Sequence, residues 1–113
     1  MDSDLKKTID FIADNITNLT PHQVTEFTCT LSICYGRLGE QVALADRNYA
    51  KRWLELRTGS ETATEAKMKA QLTDEYIEKK VLDYEVEGIK ETIHALKKRL
   101  VIISIDHSNT NNY

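Results

Sequence analysis

Residues 82–103 decide the fold class, and they read LDYEVEGIKETIHALKKRLVII. Aliphatic residues recur there at alternating steps of four and three, which places them on one stripe of an α-helix. A stripe with this heptad spacing is typical of helices that pack along one another. We therefore predict a long helix whose stripe joins copies of the chain in an oligomer. This heptad stripe consists of Leu82, Val86, Ile89, Ile93, Leu96, Leu100 and Ile103.

Helix signals extend this predicted helix upstream. Thr62 and Glu65 have the spacing of a capping box, in which each side chain accepts a hydrogen bond from the other residue's backbone N–H. Gly88 is the one breaker before the predicted end, and the sequence leaves open whether the helix bends there. We predict one helix over about 62–104, followed by a flexible polar tail over 106–113.

A second long helix is predicted before this one. Thr20 is a good N-cap, Pro21 suits the first helical position, and Gln23 completes another capping box. Apolar residues then recur at steps of three or four, and Gly59 provides a natural end. These signals predict a helix over about 21–57.

A short first helix is predicted over about 3–18, where apolar residues again form one helical stripe. Together the three helices predict a single all-α domain over 1–113. We expect a short N-terminal helix plus a long antiparallel helical hairpin that is coiled-coil-like and oligomeric. The stripe of the first helix consists of Leu5, Ile9, Ile12, Ile16 and Leu19.

The predicted third helix carries a second apolar stripe, about 120° around the helix from the heptad stripe at about 100° per residue. One neighbouring helix of the same chain covers one stripe, so two stripes require a second neighbour. We predict that another copy of the chain supplies it in a homo-oligomer. The second stripe consists of Ala66, Ala70, Ile77, Val81 and Tyr84.

Composition excludes several classes of protein. Hydrophobic residues make up 41% and charged residues 29% of the chain, which is typical of folded proteins and not of disordered ones. No apolar stretch approaches the roughly 20 residues that a membrane span requires. No apolar run follows Met1–Lys7, so no signal peptide is expected either. We expect a cytoplasmic protein without a membrane partner.

Residues with catalytic or metal-binding chemistry are scattered along the chain. The three histidines are far apart in sequence, and no metalloprotease, phosphate-loop or nucleophile motif is present. The acidic stretch over 74–91 is interpreted as a solvated helix face. Cys29 and Cys34 are interpreted as small buried hydrophobes rather than a disulfide or a metal pair. We predict no enzyme, no cofactor and no metal site.

The charge is unevenly distributed, although the net charge is only −3. Residues 47–69 carry a net charge of +3, between acidic arms over 1–46 and 70–96 that carry −4 each. Clustered Arg and Lys side chains can track phosphates, while Tyr49 and Trp53 either stack on bases or continue the apolar stripe of their helix. The candidate cations are Arg47, Lys51, Arg52, Arg57, Lys67 and Lys69.

Three short segments of the chain resemble a known family. YAKRWL over 49–54 ends one long helix, EAKMKAQLTD over 65–74 opens another, and ALKKRL over 95–100 forms its Lys-rich end. In this order they resemble the phage recombination mediators of the UvsY type and related small helical phage proteins, over about residues 40–105. The chain lacks the longer basic insert that these mediators carry between the two helices.

The resemblance implies a non-enzymatic accessory protein of phage DNA recombination or replication, located in the host cytoplasm. Such proteins form rings of identical subunits, bind single-stranded DNA and help a recombinase displace the single-strand-binding protein. It implies that the candidate cations contact DNA and that the heptad stripe builds the assembly. The expected partners are the chain itself, single-stranded DNA, and a recombinase or single-strand-binding protein.

A helical protein-interaction module is the alternative hypothesis. The acidic arms imitate the charge of nucleic acid and would attract a basic protein. A phage-encoded inhibitor of a host nuclease or defence complex would work in this way. The two hypotheses differ in whether the basic segment or the acidic arms make the contact.

Overall fold

The computed structural model describes the backbone of residues 3–111 and the side chains of residues 3–106. This range is helical and contains no strand, which confirms the all-α prediction. None of its helices has an apolar stretch of the length that a bilayer requires. The elements are α1 (Ser3–Asn15), a 3-10 turn (Ile16–Asn18), α2 (Pro21–Thr58), α3 (Ala63–Ala70) and α4 (Asp74–Asn111).

The predicted capping box at the start of α2 is present in both directions. The backbone N–H of Gln23 donates to Thr20 Oγ1 at 3.2 Å, and the backbone N–H of Thr20 donates to Gln23 Oε1 at 3.0 Å. Two backbone donors that have no partner inside the helix are satisfied in this way. The helix therefore begins at Pro21, as predicted.

The start of α3 uses half of the predicted capping box. The backbone N–H of Glu65 donates to Thr62 Oγ1 at 3.1 Å. The Glu65 carboxylate accepts from the backbone N–H of Glu61 at 3.3 Å, one residue earlier than a capping box requires. The N-cap at Thr62 is therefore as predicted, while the return hydrogen bond is shifted.

The predicted third helix is divided in two by a break at residues 71–73. No glycine or proline is present there, and Thr73 has the decisive side chain. Its hydroxyl donates to the Ala70 carbonyl at 2.6 Å and accepts from the backbone N–H of Tyr76 at 3.3 Å. One hydroxyl thus ends α3 and begins α4, and this corrects the prediction of one helix over 62–104.

The second half of that predicted helix is continuous. The helix α4 continues through Gly88 without interruption. It also continues beyond the predicted end to Asn111. The predicted flexible tail is therefore helical as far as Asn111, and its last two residues lie outside the described range.

The chain forms two compact units. Unit 1 contains the described residues up to Tyr35 together with those from Glu87 onward. Unit 2 is Gly36–Val86. The helices α2 and α4 each contribute to both units, a division that the expectation of a single domain did not include.

The core of unit 1 is formed by α1, the 3-10 turn, the first part of α2 and the second part of α4. The rings of Phe11 and Phe27 pack with centroids 5.9 Å apart, which joins α1 to α2. Arg99 Nη2 donates to the Thr17 carbonyl at 2.8 Å, which joins α4 to the 3-10 turn. Its buried side chains are Ile12, Leu19, Val24, Leu31, Ile89 and Leu96.

Unit 2 contains the second part of α2, all of α3 and the first part of α4. Lys79 Nζ lies 2.9 Å from Asp46 Oδ1, and the ring centroids of Tyr49 and Tyr76 are 5.7 Å apart. Later residues of α2 thus contact earlier residues of α4, so the two helices run antiparallel within this unit. Its buried residues are Leu38, Ala45, Ala66, Ala70, Leu82 and Glu85.

The heptad stripe lies mainly against the chain itself. Leu82, Ile89 and Leu96 are at most 8% exposed, because other helices of the same chain pack over them. Val86, Ile93 and Ile103 are half-buried, and Leu100 is 39% exposed. Leu82, Ile89 and Leu96 are thus covered within this chain, and the assignment of the heptad stripe to an assembly face stays a prediction.

The second apolar stripe is divided by the break at 71–73. Ala66 and Ala70 on α3 are fully buried in unit 2, whereas Ile77, Val81 and Tyr84 on α4 are exposed.

A further difference concerns Cys29, which is exposed although a buried side chain was predicted. Both differences arise because helical periodicity gives the angle between side chains and not which side is covered.

Candidate nucleic-acid interface

An apolar groove in unit 2 brings together both candidate aromatic residues and one candidate cation. The groove has a volume of about 500 Å³. Four of its residues lie on adjacent positions of α2, and Lys67 approaches from α3. We call it the aromatic groove, and its lining residues are Tyr49, Ala50, Trp53, Leu54 and Lys67.

The two aromatic side chains of this groove are half-buried. Tyr49 packs against Tyr76 of α4 in a tilted arrangement with an interplanar angle of 48°, which supports the ring from behind. Trp53 lies one helical turn after Tyr49 and lines the same groove. Both rings therefore contribute to packing and still present surface to a ligand, a combination of the two interpretations that the sequence left open.

Three of the six candidate cations are exposed and unpaired. Arg47, Lys51 and Lys67 make no hydrogen bond or ion pair with any described residue. Lys67 lines the aromatic groove itself. Arg47 and Lys51 lie one turn apart on α2, and the same side of the helix continues to Leu54 at the edge of the groove. Lys67 is thus free to contact phosphate in the aromatic groove and Arg47 near its edge, whereas Lys51 lines the acidic groove described below.

The other three candidate cations already have partners within unit 2. Arg52 Nη1 lies 2.9 Å from Glu55 Oε2, and Lys69 Nζ lies 2.8 Å from Glu65 Oε1. Arg57 Nη1 donates to the Ser60 carbonyl at 3.2 Å. A cation that is held by a carboxylate has less to gain from a phosphate, so the structure divides the predicted set into free and engaged members.

The ion pair at Lys69 also affects its acidic partner. The hydrogen bond from Lys69 lowers the pKa of Glu65 below its usual value, with smaller effects from the backbone N–H of Glu61 and from the charge of Lys69. The carboxylate is therefore ionised at neutral pH and keeps Lys69 occupied. Lys69 is therefore held in an ion pair, whereas Lys67, two residues earlier, is unpaired.

A second groove of unit 2 has the opposite electrostatic character. It has a volume of about 380 Å³ and is lined by residues of α2 and α4. Its four carboxylates outnumber its two cations and would repel phosphate. We call it the acidic groove, and its lining residues are Asn48, Lys51, Arg52, Glu55, Asp74, Glu75 and Glu78.

No known family, curated protein or solved structure matches this chain. The chemistry of the site is therefore argued from its own residues. The described residues contain no group of three or more His, Cys, Asp or Glu side chains placed to hold a metal ion.

Sequence reasoning missed two contributors to the aromatic groove. Leu54 and Ala50 lie outside the apolar stripe of α2 that the spacing defined, although their own spacing of four indicates a shared face. The supporting contact from Tyr76 depends on the pairing of α2 with α4. No local signal predicts such a contact.

Proposed function

We propose that this protein is a non-enzymatic accessory factor that self-associates and binds single-stranded DNA through the aromatic groove. One observation carries the proposal: two half-buried aromatic rings share a groove with the unpaired Lys67. The resemblance to the UvsY-type mediators supports a role in phage recombination or replication. In that role the protein would assist a recombinase or compete with a single-strand-binding protein.

The groove suits single strands for a physical reason. Unpaired bases expose their faces, and stacking of one base on an aromatic side chain contributes about 1–3 kcal/mol irrespective of sequence. Phosphates of the same strand would contact Lys67 and Arg47, each contact releasing counterions. A duplex hides its base faces and would bring a second charged backbone towards the acidic groove.

Trp53 is the only tryptophan of the chain and reports directly on stacking. Titration with oligothymidylate at low salt should quench its fluorescence, because a stacked base alters the environment of the indole ring. Anisotropy of a labelled oligonucleotide gives binding independently of Trp53. No change in anisotropy at low salt would refute the proposal, and binding without quenching would place the DNA elsewhere.

A charge reversal with a matched control tests the groove separately. Lys67→Glu should weaken oligonucleotide binding by roughly tenfold, since it removes a phosphate contact and adds repulsion. Lys7→Glu changes the net charge equally at an exposed position of α1 and should leave affinity within about twofold. Equal losses in both variants would indicate a general charge effect rather than binding at the groove.

The protein-interaction hypothesis has an observation of its own. Glu55, Asp74, Glu75 and Glu78 present four carboxylates along one groove, which suits a basic protein surface. Such a module, for example an inhibitor of a host nuclease or defence complex, would bind its target in the absence of DNA. Loss of target binding in Glu75→Gln/Glu78→Gln, with oligonucleotide binding absent in the unmodified chain, would favour it over the first proposal.

A further inference from the structure

The helix α3 is a short element of unit 2 with a connecting segment at each end. Its eight residues, Ala63–Ala70, lie between the segment that follows α2 and the break at 71–73. A helix shorter than about 12–15 residues is marginal in water by itself. The stability of α3 therefore depends on what it packs against.

Only small side chains anchor α3 by burial. Ala66 and Ala70 are 0% exposed and are the buried residues of this helix. The larger apolar side chains point outward, since Met68 is 65% exposed and Leu72, just after the helix, is 83% exposed. Hydrophobic stabilisation scales with the apolar area removed from water, so two buried methyl groups hold α3 weakly.

Hydrogen bonds and ion pairs do not connect α3 to the long helices. Lys69 Nζ lies 2.8 Å from Glu65 Oε1 of the same helix, and the Glu65 carboxylate accepts from the backbone N–H of Glu61. Among the described residues, every such bond of α3 ends within residues 61–73. None of them reaches α2 or α4.

The two connecting segments are suited to act as hinges. The first is held to α2 as far as Ser60, whose carbonyl accepts from Arg57 Nη1 at 3.2 Å. Glu61 and Thr62 follow and are exposed. The second is the break itself, after which Thr73 caps α4. Rotation at these two segments would move α3 as one piece while α2 and α4 keep their pairing.

We propose that α3 is a mobile strap at the aromatic groove, which opens while α2 and α4 stay in place and which a bound strand holds closed through Lys67. Lys67 is the residue that α3 contributes to the groove, whereas the other four lie on α2. A strand that contacts Lys67 binds the closed state more tightly than the open one and so raises the closed population. The inference rests on the proposed function and adds a conformational step to the same site.

Amide hydrogen exchange of the unmodified chain without DNA tests the opening. Amides of residues 66–71 should exchange at least about tenfold faster than those in the parts of α2 and α4 that belong to unit 2, since a local opening exposes α3 alone. Exchange in α3 as slow as in these parts of α2 and α4 would overturn the strap.

A matched pair of alanine substitutions tests the anchor. Ala70→Gly removes one of the two buried methyl groups and a good helix former, and should accelerate exchange in α3 by a further factor of roughly five. Ala43→Gly makes the same change at an exposed position of α2 and should leave exchange in α3 as it is. No acceleration in Ala70→Gly, or equal acceleration in both variants, would contradict anchoring by the alanines.

A matched pair of cation substitutions tests the closing. Saturating oligothymidylate should slow exchange in α3 at least about tenfold in the unmodified chain and in Arg47→Gln, whose lost cation is on α2. In Lys67→Gln, exchange in α3 should stay fast at saturation, because the contact that favours the closed state is missing. Full protection of α3 in Lys67→Gln would overturn the role of Lys67.

The outcomes also separate the strap from the proposed function. Oligonucleotide binding with slow exchange in α3 before DNA is added overturns the strap alone. Fast exchange in α3 of a chain that binds no oligonucleotide overturns the proposed function together with closing by DNA, while the opening is supported by its own measurement.

Discussion

Lys79 is a cation whose role is structural rather than ligand-binding. Its ammonium lies 2.9 Å from Asp46 Oδ1 and 3.4 Å from Asp83 Oδ2, and so connects α2 with α4 inside unit 2. The hydrogen bond to Asp46 raises the pKa of Lys79 above its ordinary 10.5, while partial burial opposes the rise and the charges of both aspartates add to it. Lys79 therefore partly neutralises the negative charge of the acidic stretch over 74–91, to which it belongs.

The raised pKa has a defined consequence for stability. The pKa of Lys79 is higher in the folded state than in the unfolded state. Its stabilising contribution is therefore complete below the unfolded-state pKa and is lost as the pH rises through the folded-state pKa. Lys79→Gln should lower the free energy of unfolding in urea at neutral pH by about 0.5–1 kcal/mol. The difference from the unmodified chain should disappear once the pH exceeds the folded-state pKa of Lys79.

Lys90→Gln is the control for this prediction. Lys90 is exposed on the same helix and has no described partner, so its replacement should change stability only slightly and equally at all pH values. A difference between Lys79→Gln and the unmodified chain that persists unchanged at alkaline pH would contradict the ion-pair explanation.

At the scale of the helices, the break between α3 and α4 has the largest effect on the surface. It separates Ala66 and Ala70 from the exposed residues of α4 and places α3 so that Lys67 lines the aromatic groove. A single continuous helix would have carried Lys67 along the same axis as α4. The hydroxyl of Thr73 is thus responsible for part of the candidate site.

Thr73→Ala should therefore destabilise the chain by about 1 kcal/mol, because the N-cap of α4 and the hydrogen bond to the Ala70 carbonyl are lost together. Urea unfolding monitored by circular dichroism measures the change. Thr25→Ala is the reference, since that exposed hydroxyl bonds within α2 to the Pro21 carbonyl and alanine favours the helix. Equal effects of the two substitutions would show that the cap is unimportant.

At the scale of the whole molecule, the net charge of −3 limits any contact with DNA to a local basic surface. The unpaired Lys67 lines the aromatic groove and Arg47 lies near its edge, whereas carboxylates line the neighbouring groove together with Lys51. Affinity for a single strand should consequently depend on salt much less steeply than it does for a strongly basic protein.

The expected slope of log affinity against log salt is about −1.4 for two phosphate contacts on a single strand, equivalent to roughly sevenfold between about 50 and 200 mM. Anisotropy titrations over that range measure it. Lys67→Gln should reduce the slope by about 0.7, because one counterion is then retained. A slope near zero would exclude phosphate contacts, and one much steeper would require cations outside this groove.

Several features were predictable because they depend on neighbours in sequence. The capping boxes at Thr20 and Thr62 involve residues three apart, so their geometry is complete within one helical turn. Apolar residues recurring at steps of three and four likewise identified α1, α2 and the second half of α4. The break at Thr73 had a local signal as well, since Asp74 and Glu75 after a threonine are typical of a helix start.

Burial was not predictable in the same way. Leu82 and Ile77 are equally good members of apolar stripes, yet Leu82 is 8% and Ile77 55% exposed. The division of the candidate cations into free and engaged members also depends on which carboxylates lie within reach. Periodicity orders side chains around one helix and carries no information about its neighbours.

Local patterns in the chain suffice to predict its helical class, the caps of two of its helices and the concentration of positive charge near its centre. The packing of distant segments was needed to show that Leu82, Ile89 and Leu96 turn inward, and that Val101, Ile102 and Ile105 remain exposed. It also brings Tyr49, Trp53 and Lys67 to one groove. Hydrogen bonds within a helical turn are local, whereas burial is a property of surfaces contributed by segments distant in sequence.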